Sequence, residues 1–230
     1  PATVTVTGED DKIMDDDIAY TIETANAVST DANYSGLAVA DVEATNSDDD
    51  TAGVTVNPTS GLTTTEAGGG QDTFTVVLTS EPTSNVTIGL SSGDAAEGTV
   101  APASAVFSNT NWSVAQTVTV TGVDDEVDDG DIAYTIQTAN AVSADANYSG
   151  MAVDDVGATN TDDDAAGVTV TPTTGLATTE ADGTDTFTIV LTSEPVADVT
   201  IGLSSGDTTE GTVSPASVVF ETTDWSTAQT

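Results

Sequence analysis

The sequence predicts an all-β protein of tandem antiparallel β-sandwiches, and three observations predict it. Valine, isoleucine, leucine and phenylalanine alternate with threonine over short runs. That is the period-2 pattern of strands with one buried and one wet face. Clusters of Gly, Pro, Asn and Asp break these runs every ~8–12 residues, the punctuation of a sandwich. Long stretches then return almost unchanged at a period of about 114 residues, the size of a domain and not of a solenoid rung.

The elements follow in order. TVTVTGEDD (3–11) predicts a strand running into an acidic loop, and it returns as TVTVTGVDD (117–125). Within QTVTVTG, Val118 and Val120 alternate with threonines. DIAYTIETANAVSTDANYSG (17–36) returns as DIAYTIQTANAVSADANYSG (131–150), with Ile132, Tyr134 and Ile136 on one face. DTFTVVLTS (72–80) places Phe74, Val76 and Leu78 together. EPTSNVTIGLSSGD (81–94) returns as EPVADVTIGLSSGD (194–207), one residue closer because the glycine-rich turn AGGGQD is shorter in the second copy. Threonine and valine favour strands, and no amphipathic helix is visible. Trp112 and Trp225 occupy equivalent places in NWS and DWS and read as packing residues. We expect residues 1–51 to be the C-terminal half of a sandwich repeat and 52–166 a complete repeat. Residues 167–230 are expected to be an N-terminal half, completed by adjoining sequence or a neighbouring subunit.

The chain has 230 residues, of which 39 are acidic and one, Lys12, is basic; the formal net charge is -38. Such a charge repels nucleic acid and anionic membrane, so neither is an expected partner. No run approaches the ~18 apolar residues of a membrane span. Cysteine and histidine are both absent, which removes disulfides, thiolate metal sites and the usual nucleophile–base pairs. With Pro1 first and no signal peptide visible, the chain reads as a window of a longer or processed polypeptide of the exported bacterial kind, extracellular or on the cell surface.

The acids gather in loops. An opening loop carries Asp124, Asp125, Glu126, Asp128, Asp129 and Asp131, matched earlier by Asp10, Asp11, Asp15 and Asp17. A closing triplet stands at Asp48, Asp49 and Asp50 and again at Asp162, Asp163 and Asp164. Single carboxylates recur as Glu66 and Asp94, then as Glu180 and Asp207. Sandwich loops collect at two poles, so these residues can converge. One lysine cannot neutralise them, whereas a hard cation can. Ca²⁺ takes 6–8 oxygen ligands, and without nitrogen or sulfur ligands zinc and copper are disfavoured. Solvated turn residues are the plainer alternative for any one aspartate. DDEVDDGD is not an EF-hand loop, because its spacing fails and no helices flank it.

The succession TTEAGGGQDTFTVVLTS, VTIGLSSGD, QTVTVTGVDDEVDDGDIAYTI and VGATNTDDD resembles a Calx-β domain over about residues 52–164. The loop VDDEVDDGDIAY is its most specific piece. The resemblance implies a seven-stranded, immunoglobulin-like sandwich with Ca²⁺ at one pole. Its ligands would be Glu66, Asp94, Asp124, Asp125, Asp129 and Asp162 to Asp164, with the carbonyl of Val127. Ile132 stands where that family carries a second acidic residue. In the first part-unit Lys12 replaces Glu126 and Met14 replaces Asp128.

The expected function is a Ca²⁺-stabilised structural repeat of an extracellular fibre, stalk or surface adhesin, not an enzyme. Its partners would be neighbouring copies of the repeat, in the same chain or as head-to-tail subunits. Two other readings stay open. One is a self-assembling filament subunit whose half-domains complete one another. The other is an acidic, salt-adapted surface or adhesive ligand-binding module without specific Ca²⁺ sites.

Overall fold

The computed structural model describes all 230 residues. Sixteen short strands and no helix make it all-β, and no helix is long and apolar enough to cross a membrane. The strands fall into three stretches of chain. β1 (Ile18–Ile22) and β2 (Val42–Asn46) come first. The middle stretch holds β3 (Val54–Asn57), β4 (Leu62–Thr65), β5 (Gln71–Leu78), β6 (Val86–Ser92) and β7 (Gly98–Ala101), then β8 (Ser104–Phe107), β9 (Gln116–Gly122), β10 (Ile132–Thr138), β11 (Val142–Ser143) and β12 (Val156–Thr161). β13 (Val168–Thr171), β14 (Thr188–Leu191), β15 (Val199–Gly202) and β16 (Ser217–Phe220) close the chain.

The middle stretch is a two-sheet sandwich. One sheet runs β3-β5-β9-β7; the other runs β4-β12-β10-β6, with β8 and β11 also paired to β6. All neighbours are antiparallel except β4, which lies parallel to β12. The alternation read from sequence sets the core. Phe74, Val76, Leu78, Val118 and Val120 from one sheet meet Leu62, Ile88, Ile136 and Val156 from the other. Trp112 packs against this cluster, and its equivalent Trp225 packs against the smaller cluster of the last stretch.

At the end of the core away from the middle stretch's own acidic loops, Tyr148 is fully buried. Its hydroxyl donates to the Ser80 carbonyl at 2.7 Å and accepts from the Ser80 N–H at 3.2 Å. Close by, buried Asp145 accepts from the N–H groups of Thr83 and Asn147. Burial pushes this carboxyl up, but those backbone donors prevail and hold it below its usual range. A Tyr148→Phe change leaves the Ser80 backbone groups without their partner. We expect a loss of about 1–3 kcal/mol in urea unfolding; an unchanged midpoint would show that this bonding contributes nothing.

The outer stretches keep the local pairing of their counterparts. β1 and β2 pair Ile18 with Asn46 and Ile22 with Val42, as β10 and β12 pair Ile132 with Asn160 and Ile136 with Val156. β13 and β14 repeat the register of β3 and β5, and β15 and β16 that of β6 and β8. Segments without a counterpart of their middle-stretch partner beside them form no strand. Thr3–Thr7, expected as a strand from its match to β9, is unpaired, because the β5 and β7 equivalents it needs are not beside it. Leu176–Thr179, the β4 equivalent, has no β12 equivalent and stays irregular; Leu176 is 43% exposed where Leu62 is 2%.

Both joints between stretches share two contacts. The Glu81 N–H donates to the Lys12 carbonyl, and the Glu194 N–H to the Glu126 carbonyl, each at 2.6 Å. The Thr79 hydroxyl donates to the Thr51 carbonyl, and the Thr192 hydroxyl to the Ala165 carbonyl, again at 2.6 Å.

Candidate metal centre

One pole of the middle sandwich is polar to its interior. β4 turns Leu62 and Thr64 inward and carries the chain straight into Glu66. The Thr64 hydroxyl lies 3.0 Å from the Tyr134 hydroxyl and donates to Asn160 Oδ1 at 2.9 Å. Asn160, fully buried at the end of β12, aims its amide at three acceptors. They are Glu66 Oε1 at 3.3 Å, Glu97 Oε2 at 3.5 Å and the Val123 carbonyl at 2.9 Å. Glu66 is 1% exposed, yet its Oε2 has no hydrogen-bond partner. A buried carboxylate oxygen without a donor is costly unless a proton or a cation supplies the missing charge.

Carboxylates crowd this residue. Glu66, Asp162 and Asp164 each offer an oxygen within 4.8 Å of the others. Burial, then the charges of Asp125, Asp162, Asp129 and Glu97, push Glu66 from its ordinary 4.5 up to about 7. Glu97 is raised for the same first reason, against the help of the Asn160 amide. Asp129 is raised by burial and by Asp125 and Asp162; Asp164 by burial and by Glu126, Asp162 and Asp163.

The loop that delivers these groups is held by its own backbone. Asp162 accepts from the N–H groups of Gly130 and Asp164, both at 2.7 Å. Gly130 sits at φ +78°, a left-handed conformation that glycine adopts freely. Asp125 accepts from the Val127 N–H, and Asp131 accepts from the Asp162 N–H. At the joint to the next stretch, Asp128 accepts from the Ala166 N–H.

The other expected site residues are placed as follows. Asp124 and Asp163 lie at the exposed rim, each adding charge near Asp164. Asp94 is exposed and turns its carboxylate to the Ala96 N–H of its own turn at 3.0 Å. Three residues on, Glu97 is the acid that enters the pole. In the first stretch Asp10, Asp49 and Asp50 form a second group within 4.8 Å. There Asp48 accepts from the N–H groups of Asp15, Asp16 and Asp50, and Asp11 from that of Ile13. Lys12 Nζ reaches Asp10 Oδ2 at 2.9 Å, an exposed pair of the kind that contributes little. Glu180 and Asp207 lie exposed in the last stretch, apart from the other clusters, and Asp207 is occupied by the Thr209 N–H and hydroxyl. The structure thus brings together Glu66, Asp125, Asp129, Asp162 and Asp164, and adds Glu97 and Asn160.

Sequence reasoning missed those last two. Their signal was recurrence: Glu97 returns as Glu210, and Asn160 stands where Asn46 stands. Asn46 even donates to the Glu9 carbonyl, as Asn160 does to that of Val123. The donor set fits a hard divalent cation. It is all oxygen, over-charged, and includes a buried lone pair without a donor. Zinc and copper would find no nitrogen or sulfur here.

No protein-family model matches the chain, and no curated protein matches it. Among solved structures it is similar to the apo form of the Calx CBD1 domain, at 17% identity and a TM-score of 0.36, covering 48% of this chain and 96% of that one. It is also similar to the periplasmic chaperone SfaE, at 13% identity and a TM-score of 0.38 over 48% of this chain; it spans 58% of that chaperone's length. A third likeness is to WR4, a C. elegans MSP family member, at 15% identity and a TM-score of 0.31, covering 47% of this chain and 95% of that one.

Proposed function

We propose that this chain is a Ca²⁺-stabilised structural module, a string of β-sandwiches in an extracellular fibre, stalk or surface adhesin. The observation that carries the reading is buried Glu66, whose Oε2 has no partner and whose carboxylate groups with those of Asp162 and Asp164. Glu66, Glu97, Asp125, Asp129, Asp162 and Asp164 would hold the ion, and Asn160 would orient the two glutamates. The ion supplies positive charge where the fold has placed none. Asp162 and Asp128 hold the loop next to the joint at residues 165–166. Removing carboxylate repulsion there folds the pole and stiffens the hinge together.

The test is thermal unfolding of the full chain with Ca²⁺, Mg²⁺, NaCl or chelator, paired with calorimetric titration. We expect a saturable rise in Tm with Ca²⁺ that NaCl at equal ionic strength does not reproduce. Ligand linkage makes this about 3–4 kcal/mol at 100–1,000 times the Kd. Equal gains from NaCl would instead support an acidic surface that is merely screened.

A further inference from the structure

We infer that the joint between the first stretch and the middle sandwich is a clamp that grips main-chain carbonyls of the preceding acidic loop, with Asn147 as the side chain that sets its angle. Units joined in series move relative to one another by default unless a large apolar contact fixes them. A small polar joint can set an angle only if its donors are themselves held rigidly. Two pairs of adjacent residues do this in the middle sandwich. Ser80 and Tyr148 face inward and bond each other: the Tyr148 hydroxyl accepts from the Ser80 N–H and donates to the Ser80 carbonyl. Their neighbours reach outward. The Glu81 N–H donates to the Lys12 carbonyl at 2.6 Å, and Asn147 Nδ2 donates to the Met14 carbonyl at 2.7 Å. The buried tyrosine thus ties together two donors that meet carbonyls two residues apart in one loop. The Thr79 hydroxyl adds a third donor, to the Thr51 carbonyl.

The loop is arranged to offer carbonyls. Its own carboxylates take up its N–H groups: Asp11 accepts from Ile13, and Asp48 accepts from Asp15 and Asp16, all at 2.8 Å. Lys12 Nζ turns back onto Asp10. What the loop presents to the next sandwich is main-chain oxygen, and the sandwich answers with N–H and O–H donors. A main-chain carbonyl is the same acceptor whatever side chain stands beside it.

This accounts for a difference between the two loops. Positions 12 and 14 hold lysine and methionine, where the later loop has Glu126 and Asp128. Charge is reversed at one place and lost at the other. The joint contacts recur all the same: the Glu194 N–H meets the Glu126 carbonyl, and the Thr192 hydroxyl meets the Ala165 carbonyl. A joint read through loop side chains would not survive that exchange. A joint read through carbonyls does, and it leaves these loop side chains free to vary from unit to unit. The clamp is made of hydrogen bonds that need no ion, so it stands apart from the cation reading.

The test uses the full chain. Its lack of cysteine lets spin labels be placed on cysteines introduced at exposed threonines: Thr21 on β1, Thr73 on β5 and Thr200 on β15. Pulsed electron-electron resonance between labels at 21 and 73 reads the first joint, and between labels at 73 and 200 the second. Two buffers of molar NaCl are compared, one with Ca²⁺ and one with chelator, so that the result does not hang on an ion. We expect the wild type to give a narrow distance distribution across the first joint in at least one of them. In that buffer Asn147→Ala widens the distribution across the first joint and leaves that across the second as in the wild type. The double variant Lys12→Glu, Met14→Asp gives the first loop the side chains of the second, and it keeps the wild-type peak and width. A wild type that is broad across the first joint in both buffers overturns the proposal, as does Asn147→Ala with an unchanged distribution. A double variant whose peak moves overturns the reading through carbonyls. Widening at both joints in Asn147→Ala would mean a general loss of fold, and it too overturns the clamp.

Discussion

Replacing Glu66 by glutamine is expected to stabilise the cation-free chain above neutral pH while removing most of the gain that Ca²⁺ brings. The two effects have opposite signs because one carboxylate serves two states. Without a cation, burial and four neighbouring carboxylates raise Glu66 to about 7 from 4.5. The folded value lies above the unfolded one, so the bound proton favours the fold. That contribution is complete below about pH 4.5 and is lost as the pH rises through about 7. Over the whole interval it amounts to about 3 kcal/mol. Glutamine has no charge to desolvate and removes this loss. With Ca²⁺ bound as proposed, the wild type would keep its carboxylate ionised and gain the ion's binding energy, whereas the glutamine variant would lose its most buried ligand. Urea unfolding across pH, with chelator and with Ca²⁺, reads both signs. If the variant is less stable than the wild type in chelator and still gains fully with Ca²⁺, Glu66 is neither strained nor a ligand.

Asn160→Ala is the second large effect, and it is expected to destabilise in every buffer. The Asn160 amide serves both buried glutamates and the Val123 carbonyl, and its oxygen accepts from Thr64. Truncation leaves several buried polar atoms without partners at once. A single such atom costs about 1–3 kcal/mol, so a loss on the order of 3 kcal/mol or more is expected. The Asn160 amide lowers Glu97. Without it that acid keeps its proton to higher pH, and the deficit in chelator grows as the pH rises. Asn46→Ala provides the control: Asn46 is half-buried and donates only to the Glu9 carbonyl, so its loss should be less than about 1 kcal/mol. Equal losses at the two sites would mean that the pole network adds nothing beyond one hydrogen bond.

Much of the fold was legible because strand faces are written at period 2. The runs QTVTVTG and IAYTIQT became β9 and β10 residue for residue, and DTFTVVLTS begins one residue after β5 begins and ends two after it ends, with the same face buried. Thr3–Thr7 carries the same letters as β9 and is no strand. Pairing is a property of two segments, and its partners are elsewhere. β4 was not read as a strand at all. Its LTTT run has a single apolar residue, and its one strand pairing is the parallel contact with β12. Among the site residues, Glu66, Asp125, Asp129, Asp162 and Asp164 were legible because acids clustered in recurring loops. Glu97 was not. Asp94 looked the better candidate in SSGD, but an aspartate two residues before a free N–H bonds its own turn. The longer glutamate is then left to reach inward. Asn160 was hidden because an uncharged side chain gives no signal in a charge pattern.

The matching hydrogen bonds at Lys12–Glu81 and Glu126–Glu194 have a geometrical consequence. If the whole orientation of one unit on the next repeats with the shared contacts, one rotation and one translation relate successive units, which together make a screw operation. A string built on it would wind with constant pitch, and its acidic poles would recur at a fixed axial spacing. Averaged micrographs of such a string would show layer lines at that spacing, which joints that bend independently would not give.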